Sequence, residues 1–416
     1  MNIVAATQRP IGDRAPAWIG LLLAGAAVQA GLWLVSEPAW LFDDFFKAYY
    51  RTAEILWREG PHPTWQLDEG SEVGFVNIPI VAALFVPLVF LGETGAGWAF
   101  LALGIAATAG AWALLIRMAR PETKIGPVLL FCFLVNGPLV YSLREGNTTH
   151  FILLFLVVAL LLWNARWEYS AGLLLGLCAV IKLPLLIYGV YFLLRRRWRI
   201  VAGGVTTISL TVMLSLLVFG IELNIGWYRH CVEPFLGRVI PAFNVQSIDS
   251  FLLRLKTGGD YLLYWEPIEP PIIHKIGRMF LFAAMLGGAF WLMQRAARRG
   301  PMPAQDGSLN SRDLLEYALV LNLALVMSPI SWTHYYLLLL LPWGLYLGGR
   351  LRLPDDATSR WLMLGGLLLA SLPVVVFPLG PGWVDDLVSR TAVSVWLFGG
   401  LCMLAAMTRG LWRITP

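Results

Sequence analysis

Ala99–Ile116 reads AFLALGIAATAGAWALLI, a run without a charged residue, and Arg117, Arg120 and Lys124 follow it. A helix that crosses a bilayer needs about 20 mostly apolar residues. Comparable apolar runs recur along the chain, at Ala17–Leu34, His150–Trp163, Met279–Leu292, Trp361–Leu379 and Ala392–Met407. The pattern predicts an all-α, polytopic integral membrane protein.

The composition indicates the same class. Of the 416 residues, 58% are hydrophobic and only 14% are charged, whereas soluble domains contain roughly 25% charged residues. No stretch between the apolar runs is long enough for an ordinary soluble domain, so we predict a single transmembrane domain over residues 1–416. The four cysteines include no CxxC pair, which argues against a zinc site or a disulfide framework.

The basic residues concentrate at the ends of the apolar runs. The net charge is +5, but clusters such as Arg195–Arg197 and Arg409/Arg413 are typical of cytoplasmic loops under the positive-inside rule. We therefore expect membrane lipids, and no nucleic acid, as partners of these charges.

The charge pattern predicts about twelve crossings from a cytoplasmic N-terminus. Residues 37–74 form the first outer loop, and residues 220–271 form a second large outer loop. In the first loop, apolar side chains of Phe45–Trp57 fall on one helical stripe, which predicts an amphipathic helix in the outer membrane interface.

The order of the crossings before Arg195 has two solutions. Six full spans would place Arg117–Lys124 outside. Alternatively, Asn77–Leu91 is a re-entrant or half-depth helix and Ala171–Leu194 is broken at Lys182–Pro184, which places every basic cluster inside. We favour the second solution because proline permits a break in a membrane helix.

Asp43 and Asp44 are the first candidates for catalysis. They lie beside Phe42, Phe45 and Phe46 at a hydrophobic boundary, where desolvation raises the pKa of a carboxyl group. Such a group can act as a general base on a sugar hydroxyl. The alternative is a pair of helix-capping residues near a helix N-terminus.

Lys182 is the second candidate, because apolar residues flank it on both sides. An ionisable residue at membrane depth is costly and indicates a function. Its ammonium group could bind the phosphate of a lipid-linked donor. The alternative is a lysine that extends its side chain to the membrane surface.

Short polar segments between apolar runs supply further candidates for substrate binding. Each could instead be an ordinary loop, and the aromatic side chains could belong to the interfacial belt. Amides and aromatic rings are also the groups that bind sugars, by hydrogen bonding and stacking. The predicted substrate-binding residues are Lys182, His334, Arg144, Asn147, Tyr49, Trp332 and Gln246.

Several of these segments together resemble glycosyltransferase family 87, polyprenol-phosphate-mannose-dependent mannosyltransferases of the GT-C architecture. The resemblance spans about residues 42–347 and depends on the order and spacing of the segments. The matching segments are Asp44–Ala53, Phe75–Pro79 with Pro87–Leu88, Gly146–Asn147, Ala171–Gly172 through Lys182–Pro184 to Arg195–Arg199, and Ser328–Leu337. The chain departs from the family pattern at Asn147, where glutamine is usual, at Asn77–Ile78, and at Leu183 before the proline.

The resemblance implies that Asp44, or its neighbour Asp43, deprotonates an acceptor hydroxyl, which then attacks C1 of the donor sugar with inversion. Lys182 and His334 would contact the donor phosphate. It further implies a polyprenyl-phosphate hexose, with mannose as the expected sugar, as the donor and co-substrate, a lipid or glycan acceptor, and no metal or other cofactor. The enzyme would lie in the bacterial cytoplasmic membrane with its active site on the outer face.

Two other functions are compatible with the sequence. A transporter or flippase of lipid-linked sugars would use buried charges for translocation, and a structural or assembly protein would not need Lys182. The acidic residues of the first outer loop favour the enzyme over both.

Overall fold

A computed structural model describes residues 41–63, 75–298, 309–374 and 382–413, with isolated positions at 20, 24, 25, 27 and 31. The predicted first helix, Ala17–Leu34, lies outside the described residues except for those isolated positions, and so does the part of the first outer loop at 64–74.

The described residues are helical, and their only strand-like pairs are two isolated bridges. The α-helices are α1 Arg51–Glu59, α2 Val86–Val89, α3 Gly92–Met118, α4 Gly126–Leu134, α5 Gly137–Glu145, α6 Thr149–Asn164, α7 Glu168–Ile181, α8 Ile187–Leu194, α9 Trp198–Trp227, α10 Ile248–Thr257, α11 Ile272–Arg298, α12 Ser311–Met327, α13 Leu340–Leu347, α14 Ala357–Ala370, α15 Trp383–Arg390 and α16 Val395–Trp412. The all-α prediction is confirmed for this part of the chain.

Within the described part, four helical segments are long and apolar enough to cross a membrane: Gly92–Met118, Trp198–Phe235, Ile272–Arg298 and Trp383–Trp412. The pair α4 and α5 would be a fifth span, bent by 57°. Other apolar helices are shorter because breaks interrupt them. The count of about twelve crossings and the membrane-interface position of α1 therefore stay predictions.

The helix α12 lies at the centre of the bundle, since every side chain from Leu314 to Val326 is buried. In contrast, α9 and α11 expose apolar side chains such as Leu217 and Ile273 over much of their length. In a membrane protein, exposed apolar side chains of this kind face lipid. Both helices therefore form part of the lipid-facing surface.

The helices α7 and α9 pack closely through glycines. A Cβ atom at Gly172 would lie 2.0 Å from the carbonyl oxygen of Ile200, and one at Gly203 would lie 2.2 Å from that of Tyr169. Small residues permit such backbone contact between membrane helices. This packing fixes α7, whose C-terminal end leads into Lys182.

Two predicted boundaries differ from the structure. The span expected to end near Phe219 continues as α9 to Trp227, with a break in helical geometry at Gly220, where φ is 71°. Because glycine adopts positive φ without a steric penalty, the helix changes direction there and resumes. Helical turns then continue to Phe235, within the predicted second outer loop.

Candidate active site

Asp44 is placed by the contact of its own segment, Phe42–Phe45, with the end of α5. The backbone N–H of Phe42 donates to the carbonyl oxygen of Arg144 at 2.7 Å. Directly after α5, Gly146 adopts the left-handed conformation, and a Cβ atom there would lie 2.5 Å from Cβ of Phe45. A residue with a side chain would push the two segments apart. Gly146 therefore allows Asp44 and Asn147 to approach each other.

The Asn147 amide connects a carboxylate to an ammonium group. Its Nδ2 donates to Asp44 Oδ2 at 3.0 Å, and Lys182 Nζ donates to its Oδ1 at 3.2 Å. The same Oδ1 accepts hydrogen bonds from the backbone N–H and hydroxyl of Thr149. Three donors around Oδ1 fix the orientation of the amide, so that its NH2 group faces the carboxylate.

Lys182 lies at a helix break, as predicted from the following proline. Its backbone is extended between α7 and the 3-10 turn Leu183–Leu186. The amide of Asn77 donates to the carbonyl oxygen of Ile181 at 2.8 Å, which satisfies a backbone group freed by the break. The Lys182 side chain is buried, and its Nζ lies 4.6 Å from the centroid of the Tyr335 ring.

The opposite wall joins two polar segments that are distant in sequence. Val245 and Trp332 form an antiparallel bridge, and the backbone N–H of Thr333 donates to the carbonyl oxygen of Asn244 at 2.7 Å. This pairing holds Asn244, Trp332 and His334 together. The His334 ring is buried, and its Nε2 has no hydrogen-bond partner among the described residues.

These walls enclose a cavity of about 560 Å³, which is within the usual size range of small-molecule sites. One side of it is ionic and amide-rich, and the other is mainly aromatic. The lining residues are Asp43, Asp44, Lys47, Ala48, Tyr49, Phe75, Val76, Asn77, Tyr141, Glu145, Asn147, Ile181, Lys182, Asn244, Trp265, Trp332, His334 and Tyr335.

Burial raises the pKa of Asp44 above its ordinary value of 3.8, while the hydrogen bond from Asn147 and the charge of Lys182 oppose that rise. The nearby charge of Asp43 adds to it. Asp43 itself is about one-third exposed and pairs with Lys47 at 2.9 Å at the edge of the cavity. Of the two carboxyl groups, Asp44 has the desolvated environment that suits a general base.

Most of the residues predicted for substrate binding line this one cavity, namely Tyr49, Asn147, Lys182, Trp332 and His334. Arg144 lies behind the lining, where its guanidinium group donates to Glu145 at 3.3 Å. Their roles in substrate binding stay predictions.

The structure places Gln246 away from this cavity, in contrast to the expectation from the sequence. Its side chain is fully buried outside the cavity lining, and its Nε2 donates to the backbone carbonyl oxygens of Phe243 and Val393. Asn244, two residues earlier, lines the cavity instead. Gln246 therefore stabilises the loop that presents Asn244.

The sequence interpretation missed Glu145, Tyr141 and Tyr335 as lining residues. A signal was available for two of them, because Tyr141 and Glu145 are four residues apart and share a helix face that ends beside Asn147. Tyr335 directly follows His334, but its neighbour Tyr336 points elsewhere, with its hydroxyl donating to the backbone of Gln246.

No group of three or more His, Cys, Asp or Glu residues within the described ranges is arranged to hold a metal ion. Lys182 is a cationic group of the cavity wall, and it is connected to the carboxylate of Asp44 through the amide of Asn147.

The fold and the cavity define an integral, multi-pass membrane protein with a buried polar site that contains a carboxylate and an ammonium group. Residues 75–312 match the model of glycosyltransferase family 87, and because this match covers more than half of the chain, the chain belongs to that family. It is therefore a membrane glycosyltransferase.

A curated relative is the polyprenol-phosphate-mannose-dependent alpha-(1-2)-phosphatidylinositol mannoside mannosyltransferase of Mycobacterium tuberculosis. It is 26% identical to this chain over 376 residues, which cover 83% of this chain and 82% of the relative. The similarity thus extends over most of both proteins.

Proposed function

We propose that this glycosyltransferase moves a hexose from a polyprenyl-phosphate donor to a hydroxyl group of a lipid or glycan acceptor, and that this hexose is mannose. The mycobacterial relative, named for a polyprenol-phosphate-mannose donor and a phosphatidylinositol mannoside acceptor, supports this donor and a lipid acceptor. The observation on which the proposal mainly depends is that Asp44 and Lys182 line one cavity and are connected through Asn147.

In the proposed reaction, Asp44 accepts the proton of the acceptor hydroxyl. The hydroxyl oxygen forms a bond to C1 of the sugar, and the bond from C1 to the phosphate oxygen breaks, with inversion at C1. The electron pair of that bond leaves with polyprenyl phosphate. A general base of this kind typically contributes about 10²- to 10⁴-fold in rate.

Lys182 and His334 are proposed to bind the donor phosphate. A fixed ammonium group stabilises the negative charge that develops on the leaving phosphate. His334 is buried, and its Nε2 has no partner among the described residues, so a substrate oxygen could supply one. The lipid-linked sugar is the co-substrate in this scheme, and no further cofactor is proposed.

We also infer how the chain lies in the membrane. About twelve crossings, with the basic clusters in the cytoplasm, would place Asp44 and the cavity on the outer face of a bacterial cytoplasmic membrane. The helix α1 would lie in the outer interface. The lipid tail of the donor would remain between helices while the sugar enters the cavity.

The test is a transfer assay with the purified full-length protein and a panel of radiolabelled polyprenyl-phosphate sugars. Extracted membrane lipids and glycans, including phosphatidylinositol mannosides, are supplied as acceptors. We expect label to appear in an acceptor, with mannose as the preferred sugar. Movement of the donor across proteoliposomes without any transfer of sugar would contradict the proposal and favour the flippase.

A further inference from the structure

A third carboxylate, that of Glu145, lines the same cavity as Asp43 and Asp44. Glu145 is the last residue of α5 and is only 4% exposed. Its Oε1 accepts a hydrogen bond from the neighbouring Arg144 at 3.3 Å, which is a long contact for a charged pair. In the proposed reaction, Glu145 has no role.

The position of Glu145 is unfavourable for an ionised carboxylate on three grounds. It is buried, it lies close to the charge of Asp44, and it is at the C-terminal end of a helix, where the helix dipole disfavours negative charge. The charge of Arg144 offsets part of these penalties, and a ligand hydroxyl group that donates to the carboxylate would offset more of them. A costly ionisable group that faces a cavity in a membrane protein indicates a ligand contact.

We propose that Glu145 binds the acceptor, by accepting a hydrogen bond from a hydroxyl group adjacent to the hydroxyl that Asp44 deprotonates. This inference depends on the proposed function, which it extends by naming a contact that selects the acceptor. The ligand it requires is a polyol with neighbouring hydroxyl groups, such as a sugar or an inositol ring.

The contacts between the segment of Asp44 and the segment of Glu145 support the assignment of Glu145 to acceptor binding. The hydrogen bond from Phe42 to Arg144 and the close approach of Gly146 to Phe45 hold Glu145 and Asp44 in one fixed arrangement. Both carboxylates therefore face the same substrate. The donor phosphate is anionic and would be repelled by Glu145, whereas a hydroxyl group is a suitable hydrogen-bond donor for it.

The test compares Glu145→Gln with the wild-type enzyme, with KM measured separately for donor and acceptor. Loss of one charge-assisted hydrogen bond should raise the acceptor KM by roughly 10-fold or more, with donor KM changed less than about 2-fold. Glu316→Gln is the matched control, since Glu316 is also a buried glutamate but lies outside the cavity lining. It should leave the acceptor KM unchanged.

An unchanged acceptor KM in Glu145→Gln, or an equal rise in both KM values, would overturn the inference while leaving the proposed function intact. Absence of sugar transfer by the wild type would instead contradict the proposed function. A binding measurement remains decisive in that case, with phosphatidylinositol mannoside added to the purified protein and detected by native mass spectrometry. Weaker binding to Glu145→Gln than to wild type would support the inference, and equal or absent binding would overturn it.

Discussion

Two of the buried charge clusters in the described part of the chain, one around Arg195 and one in the cavity, pair their charges in different ways. In the first, α8 leads to Arg195, whose guanidinium contacts Glu316 at 3.1 Å and Asp313 at 3.7 Å on α12. The hydroxyl of Tyr191 also donates to Glu316 at 3.0 Å. In the cavity, by contrast, Lys182 makes no direct ion pair within the described residues, and its ammonium contacts the amide of Asn147.

The difference is the one expected between a structural cluster and the proposed substrate site. Direct pairing compensates part of the desolvation of the charges at Arg195, although such pairs add little net stability. In the cavity, an amide lies between the carboxylate of Asp44 and the ammonium of Lys182, and both charged groups remain accessible to a ligand. Substitutions in the cavity should therefore affect catalysis, whereas substitutions in the cluster around Arg195 should affect stability.

The largest effect is expected for Asp44→Asn. Asparagine preserves the shape of the side chain but cannot accept the acceptor proton, so kcat should fall by about 10²- to 10⁴-fold. The measurement is sugar transfer by purified enzyme at saturating donor and acceptor. Asp43→Asn is the matched control and should retain most activity. The reverse result, with Asp43→Asn inactive, would assign the base to Asp43.

Lys182→Met should have the next largest effect. Methionine preserves much of the length and apolar surface of the side chain but removes the charge that stabilises the leaving phosphate, so kcat should fall by about 10²- to 10³-fold. Lys47→Met is the control, because Lys47 lies at the exposed edge of the same cavity. Equal losses in the two variants would argue that only the overall charge of the cavity matters.

Glu316→Gln should affect stability rather than catalysis. Removal of one partner from the buried cluster leaves Arg195 with incomplete compensation, and we expect the free energy of unfolding to fall by about 3 kcal/mol. Denaturant titration of the protein in detergent would measure this change. The transfer rate per folded molecule should stay near the wild-type value. If Glu316→Gln had normal stability but no activity, the cluster around Arg195 would have a role in the reaction.

The parts of the site that depend on local chemistry could be predicted from the sequence. The break at Lys182 followed from Pro184, and the cost of a buried charge identified Lys182 as a candidate. The polar segment at Asn147 and the segment ending at His334 were also identified, and both reach the cavity. The long apolar runs also predicted that the chain is helical, as the described residues are.

The positions of other residues relative to the cavity could not be predicted, because they depend on three-dimensional contacts. Gln246 and Asn244 are two residues apart in one polar loop, and only the pairing of that loop with Ser331–Thr333 determines which of them faces the cavity. In the sequence, Glu145 lies in an ordinary-looking polar segment. In the structure, the close approach of Gly146 to Phe45 brings it near the segment of Asp44. Sequence spacing alone does not contain these contacts.

The smallest predicted effect is a shift in the acid side of the pH profile. Asp44 must be ionised to act as a base, and its pKa is raised, mainly by burial. The kcat/KM for the acceptor should therefore fall as pH decreases through a midpoint above 3.8. Below that midpoint it should lose about tenfold per pH unit, because only the deprotonated fraction is active.

Two substitutions should move that midpoint in opposite directions. Asn147→Ala removes a hydrogen bond that lowers the pKa of Asp44, so the midpoint should shift to higher pH. Asp43→Asn removes a negative charge that raises it, so the midpoint should shift to lower pH. Each profile is measured with purified enzyme at fixed ionic strength, because exposed charges such as Asp43 are screened by salt. Shifts in the same direction in both variants would show that the acid limb reports a group other than Asp44.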